Sequence, residues 1–173
     1  MMGPRSHNVA DILDWAEGLP AAPPRDPEAV VDILDEGATV GSHKTHSPAE
    51  AAMLTALLGC GFNTDARAAD GLGTLWQQHP IDTGVGCIHV DFALTRKVGQ
   101  RNVRIAIEVD GHRFHQRTKE QVERDYRRGR ELARAGWVVI RFSGSEVFRD
   151  AGACAIEASA ILIEAVDRIR SGQ

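Results

Sequence analysis

The chain has 173 residues, 43% apolar and 25% charged, with a formal net charge of −4. That is enough for one globular domain with a sizeable core and flanking segments. No apolar run approaches the roughly 20 residues that cross a bilayer, and "MMGPRSHNVADILDWAEGLP" lacks the apolar centre of a secretory signal, so a soluble, cytoplasmic protein with no membrane partner is expected.

Cys60, Cys87 and Cys154 are odd in number and form no C-x-x-C pair. That argues against a disulfide framework or a zinc ribbon, and each reads as a small buried apolar residue. The charge is unevenly placed. Residues 96–134 hold 12 of the 20 Lys+Arg and 6 of the 24 Asp+Glu, a net +6 against −10 elsewhere. Such a block suits a phosphate-tracking face or a solvated helix equally well.

In chain order, residues 8–17 read as a short helix. The prolines of "GLPAAPPRDP" forbid a regular element near 20–27, and a second helix runs from Pro27 to Glu36. "GATVGSHKTH" reads as a loop. Residues 1–44 are thus expected to be a helical segment with a proline-rich linker, and 45–173 the main domain. "SPAEAAMLTALLGCGF" carries a capping box: Ser47 as N-cap, Pro48 at N1, Glu50 at N3, then Met53, Leu54, Leu57 and Leu58 at helical spacing. Gly59 or Gly61 stops that helix. Residues 63–80 show no strong period.

Two alternating runs follow, "CIHVDFAL" (87–94) and "VRIAIEVD" (103–110), each the signature of a half-buried strand. "RTKEQVERDYRRGRELARAGW" is a basic helix with Thr118 as cap, Gln121 at N3, a sparse apolar stripe of Val122, Tyr126, Leu132 and Ala133, and Gly136 as stop. "WVVIRF" (137–142) is a near-continuous apolar run expected of a central strand. A last helix covers roughly 150–170. Helices and strands in this order imply an α/β sandwich around a mixed sheet.

The two alternating strands form a hairpin. With Gly99 and Gln100 at the tip of a type II′ turn, Val98 pairs with Arg101 and Asp91 falls opposite Glu108. Directly paired residues have Cβ atoms about 5 Å apart. Two carboxylates there repel by roughly 3 kcal/mol at an effective dielectric of 20 unless a proton or a cation intervenes. Hard carboxylate oxygens suit Mg²⁺. Beyond Gly111, His112 and His115 are placed to accept a proton from water or to hydrogen-bond a phosphate oxygen; the competing reading is a polar loop. His7, His43, His46, His79 and His89 receive no role.

Laid out in order, Ser47-Pro48-x-Glu50, Asp91, Ile107 to His115, the Asp125, Arg128 and Leu132 spacing, and Gly136 to Phe142 resemble the PD-(D/E)XK nuclease superfamily, in particular its branch similar to very-short-patch-repair endonucleases. The likeness covers about residues 45–150. It implies a restriction-endonuclease-like sandwich and metal-dependent hydrolysis of DNA phosphodiesters. Asp91, Glu108 and the Val109 carbonyl would hold Mg²⁺ or Mn²⁺. Glu50 would reach in from its helix, beside its local role in the capping box. Gln77 or Gln78 echoes a glutamine found upstream of the first strand in that branch. The superfamily's usual lysine, two residues after the glutamate, is Asp110 here. A further ligand, a base or an orienting group are the roles left to that aspartate, and His112, His115 or Arg128 would supply the missing positive charge. Arg113, Arg117, Lys119, Arg124, Arg127 and Arg128, with Arg134, would contact DNA phosphates, and an Asp125–Arg128 ion pair on the helix is an equal alternative for those two residues. The resemblance fits an endonuclease of repair, restriction or phage defence, with a protein partner supplying targeting. The alternative is a nuclease-like DNA-binding or assembly module that no longer cuts; more distant is a metal-dependent RNase or toxin.

Overall fold

The computed structural model describes residues 39–40, 43–44, 47–66, 71–110 and 118–172. In chain order they form β1 (Thr39–Val40), β2 (His43–Lys44), α1 (Pro48–Gly59), β3 (Thr74–Asp82), β4 (Cys87–Val98), β5 (Arg101–Asp110), α2 (Lys119–Arg134), β6 (Val138–Ser143) and α3 (Gly144–Arg170). The expected helices at 8–17 and 27–36 lie outside the described residues. The expected loop before α1 contains a small antiparallel ribbon of β1 and β2.

The main sheet has the order β3-β4-β5-β6. Its first two pairings are antiparallel and β5–β6 is parallel. One face packs α1 and α3 around Met53, Leu54, Leu57, Leu75, Phe92, Leu94, Ile105, Ile107, Ala158 and Leu162. The other holds a smaller cluster of Ile81, Val90, Ala93, Ala106, Leu132 and Trp137. This is a mixed sheet between helices, consistent with the restriction-endonuclease-like sandwich. Among the described residues no helix is long and apolar enough to cross a membrane.

Local signals set several boundaries. The Ser47 hydroxyl accepts the Glu50 N–H and starts α1. Thr118 and Gln121 form a full capping box on α2, which ends where Gly136 takes a φ of +82°. At the hairpin tip only Gly99 has a positive φ, as a type II′ turn requires. The register pairs Val98 with Arg101, as the sequence predicts.

Burial corrects other expectations. Residues 74–82, which show no clear period, form β3. Strand β5 is buried on both faces from Ile105 to Val109, so it is the central strand rather than a half-exposed one. Strand β6 is an edge of the sheet as described, with Val138 47% exposed. Its apolar run reflects helices on both sides of it, since Ile140 and Phe142 pack toward α3 and Val139 toward α2. Val122 and Tyr126 do not hold α2 down: they are 37% and 64% exposed, and the helix docks through Leu132 and Ala135 near its end. Helix α3 begins at Gly144, breaks at Asp150 (φ −161°, ψ 84°), and restarts there because the Asp150 carboxylate accepts the Ala153 N–H. Cys60 and Cys154 are buried as expected, but Cys87 is exposed at the start of β4.

The β3–β4 pair carries one irregularity. Leu75 and Ile81 are separated by an even number of residues and should share a face, as should Phe92 and Val90. Instead each pair is split between the two clusters. The alternation inverts in both strands at one place, the Gln78–Asp91 position, which is missing from an otherwise continuous β3–β4 register. Gln78 there has a φ of +43°.

Candidate active site

The β4–β5 ladder runs to Phe92↔Ile107 and stops one pair short of Asp91 and Glu108. The strands part, and the Asp91 carboxylate fills the fork. Its Oδ2 accepts the Val109 N–H at 2.8 Å, replacing the ladder bond that β4 no longer supplies. Asp91 and Glu108 are therefore not a directly paired couple, although both stand at this fork.

Glu50 arrives from the first turn of α1 and is only 7% exposed. Its two oxygens divide the roles foreseen for it. Oε1 accepts the Ser47 hydroxyl at 3.0 Å, and Oε2 accepts the Gln78 side-chain amide at 3.3 Å. The same Gln78 nitrogen is 3.4 Å from Asp91 Oδ1. One NH₂ group thus bridges two carboxylates from different elements.

Gln78 can make this bridge because its backbone leaves the strand conformation. A left-handed conformation costs a non-glycine residue about 1 kcal/mol. We therefore expect Gln78→Gly to be more stable than Gln78→Ala by about 1 kcal/mol in urea unfolding, the reverse of the usual order in a strand. Equal stabilities would show that no such backbone strain is held at this position.

Glu108, also 7% exposed, lies on β5 with each oxygen engaged. Arg128 Nε of α2 donates to Oε1 at 2.6 Å, and Arg141 Nε of β6 donates to Oε2 at 2.7 Å. The parallel register makes Arg141 the cross-strand neighbour of Glu108. Arg141 also donates to the Asp125 carbonyl at 3.4 Å, and Arg128 donates through Nη2 to the His89 carbonyl. Arg128 is thus oriented by Glu108. Sequence reasoning gave Arg141 no role, although it is the arginine of the segment from Gly136 to Phe142.

Asp110 ends β5, paired with Ser143. Lys119, Arg124 and Arg127 are exposed on α2. An open groove of about 360 Å³ runs beside α2, lined by Ile88, Gln121, Arg124, Asp125, Arg127, Arg128 and Glu131. His112, Arg113, His115 and Arg117 lie outside the described residues.

Burial pushes the Asp91 carboxyl above its ordinary value. The Val109 and Gln78 donors pull it back, and the charges of Glu50 and Glu108 add to the rise. Such a group gains from a nearby cation. The oxygens of Glu50 and Asp91 that converge on one amide are the hard, anionic donors a divalent ion prefers. Among the described residues no group of three or more His, Cys, Asp or Glu side chains is gathered to hold a metal ion. Glu50 and Asp91 meet through the Gln78 amide, and the third acid, Glu108, is held by guanidinium groups instead.

A family model, REase_MTES_1575, matches residues 76–161, from β3 into α3. It describes a restriction-endonuclease-like family and supports the PD-(D/E)XK superfamily and a nuclease. No curated protein and no solved structure matches the chain.

Proposed function

We propose that the protein is a divalent-metal-dependent DNA endonuclease, a phosphodiester hydrolase of repair, restriction or phage defence, akin to the very-short-patch-repair branch. The observation that carries this reading is the convergence of Glu50 and Asp91 on the Gln78 amide, at 3.3 and 3.4 Å, in a strand fork beside Glu108.

Asp91, Glu50, Glu108 and the Val109 carbonyl would hold Mg²⁺ or Mn²⁺. When bound, such an ion neutralises charge on the scissile phosphate and acidifies an attacking water. The chain itself does the positioning. Val109 N–H fixes Asp91 and Ser47 fixes Glu50, so both carboxylates are oriented before any substrate arrives. Asp110 takes the place of a cationic clamp and serves as a further ligand, a base or an orienting group for a histidine. His112 and His115 accept a proton from water or bind a phosphate oxygen. Arg124, Arg127 and Arg128 with Lys119, Arg113 and Arg117 bind phosphates along α2 and the segment before it. Binding of this kind weakens steeply with salt and carries no sequence information, which leaves target choice to a protein partner.

The test is incubation with plasmid and linear DNA in Mg²⁺, Mn²⁺ or EDTA, wild type beside Asp91→Ala/Glu108→Ala. Cutting is expected in metal only, and the double variant should lose at least a thousandfold. Cutting that survives the substitutions or the chelator refutes the assignment.

A second reading, a nuclease-fold DNA-binding or assembly module that does not cut, draws on one observation: both oxygens of Glu108 are occupied by arginines. Salt-sensitive DNA binding without cutting, equal in both proteins, would favour it.

A further inference from the structure

Glu108 is the acid nearest the proposed chemistry that is least ready for it. It is buried, and Arg128 and Arg141 close on its two oxygens at 2.6 and 2.7 Å. A carboxylate so matched does not also serve a divalent ion. The two arginines differ, however, in where else they reach. Arg141 sits in the ladder beside Glu108 and ties β6 to the α2 backbone at the Asp125 carbonyl. Arg128 lines the open groove together with Arg124 and Arg127, and its side chain is 37% exposed. Two guanidinium groups on one carboxylate leave an excess positive charge at the mouth of that groove.

Resting on the endonuclease reading, we infer that Arg128 is an exchangeable latch on Glu108, released by a phosphate of the DNA backbone. The exchange balances charge for charge. A phosphate entering the groove takes over the Arg128 guanidinium, which gives Glu108 only its Nε–H and can offer a phosphate a bidentate, charge-assisted pair. Glu108 then keeps Arg141 on Oε2 and turns Oε1 to a divalent cation beside Asp91. Neither half of the exchange is favourable alone. Withdrawing Arg128 without a cation leaves a buried charge half compensated. Admitting a cation without a phosphate sets it against a guanidinium. DNA and metal therefore bind with positive coupling, each tightening the other by the same factor. Arg128 is a positioning residue in this scheme, and the metal site is complete only on substrate.

The readout is Mn²⁺ binding, followed by the free-ion electron paramagnetic resonance signal, for the protein alone and with a fully phosphorothioated 20-base-pair duplex that resists hydrolysis. Wild type should bind Mn²⁺ at least tenfold more tightly with the duplex, and the duplex should tighten equally with Mn²⁺. Arg128→Gln should bind Mn²⁺ several-fold more tightly than wild type without DNA, and its coupling should fall to threefold or less. Arg128→Lys keeps the charge without the fork and should lie between them. Arg127→Gln lines the same groove without touching Glu108, so it should weaken the duplex while keeping the wild-type coupling factor. Circular dichroism checks that each variant is folded. Mn²⁺ uptake that is lost in Glu108→Gln but is uncoupled to DNA in wild type overturns the latch and leaves the nuclease reading standing. Coupling unchanged in both Arg128 variants does the same. Absence of Mn²⁺ uptake by wild type in every state overturns both.

Discussion

Replacing both arginines that hold Glu108, as Arg128→Ala/Arg141→Ala, is expected to destabilise the fold by about 3–5 kcal/mol, the cost of leaving a buried charge unpaired. Each arginine is about a third exposed, and water partly replaces it, so the lower half of that range is expected. Either single substitution leaves one guanidinium in place and should cost only about 1–2 kcal/mol. The double loss should equal or exceed the sum of the two single losses, since the two groups share a partner. The decisive comparison is a third substitution. Adding Glu108→Gln to the double variant removes the orphaned charge and should recover at least half of the lost stability. Urea unfolding of the wild type and these variants measures this. If the triple variant is no more stable than the double, Glu108 is not what the arginines serve, and packing of their stems is the better account.

Asp91→Asn should combine a gain in stability with the loss of cutting. The asparagine carbonyl can still accept the Val109 N–H, and the repulsion from Glu50 and Glu108 is removed, at the cost of the long bond from the Gln78 amide. Relief of this kind at a functional site is worth about 1 kcal/mol. The pH dependence comes from the raised Asp91 carboxyl. Over the range between its unfolded and folded values the native state holds more protons, so Asp91 makes stability fall as pH rises. Below the ordinary carboxylate range the wild type and Asp91→Asn should melt at nearly the same temperature. The variant's advantage should open as pH rises from the ordinary carboxylate value towards the raised folded one, and stay constant above it. Cleavage of plasmid DNA by the variant should drop by about a hundredfold to a thousandfold at every pH. A variant that is less stable than wild type at neutral pH would contradict the account of this site as one under electrostatic strain.

Legibility in the sequence differs from residue to residue. The caps at Ser47 and Thr118, the Gly99–Gln100 turn and the hairpin register follow from rules that act over a few residues, and they lie as the sequence predicts. The meeting of Glu50 with Asp91 is visible there only as two acids in separate motifs, because a capping box accounts for Glu50 locally. Gln78 and strand β3 are hard to read for a shared reason. The strand reverses its faces at Gln78, so its apolar residues lose the period of two that marks a strand, and the same reversal at Asp91 splits Val90 from Phe92.

The capped helices and the turn follow from the conformational preferences of neighbouring residues and so are legible along the chain. Which strand is central, where the ladder forks, and which arginines close on Glu108 emerge only when distant segments pack together. Those outcomes depend on what covers each face and on charges brought together from β4, β5, α2 and β6. An alternating run reads the same whether one helix layer lies over it or two. Likewise, nothing within "VRIAIEVD" states that Arg141, 33 residues beyond Glu108, will be its neighbour.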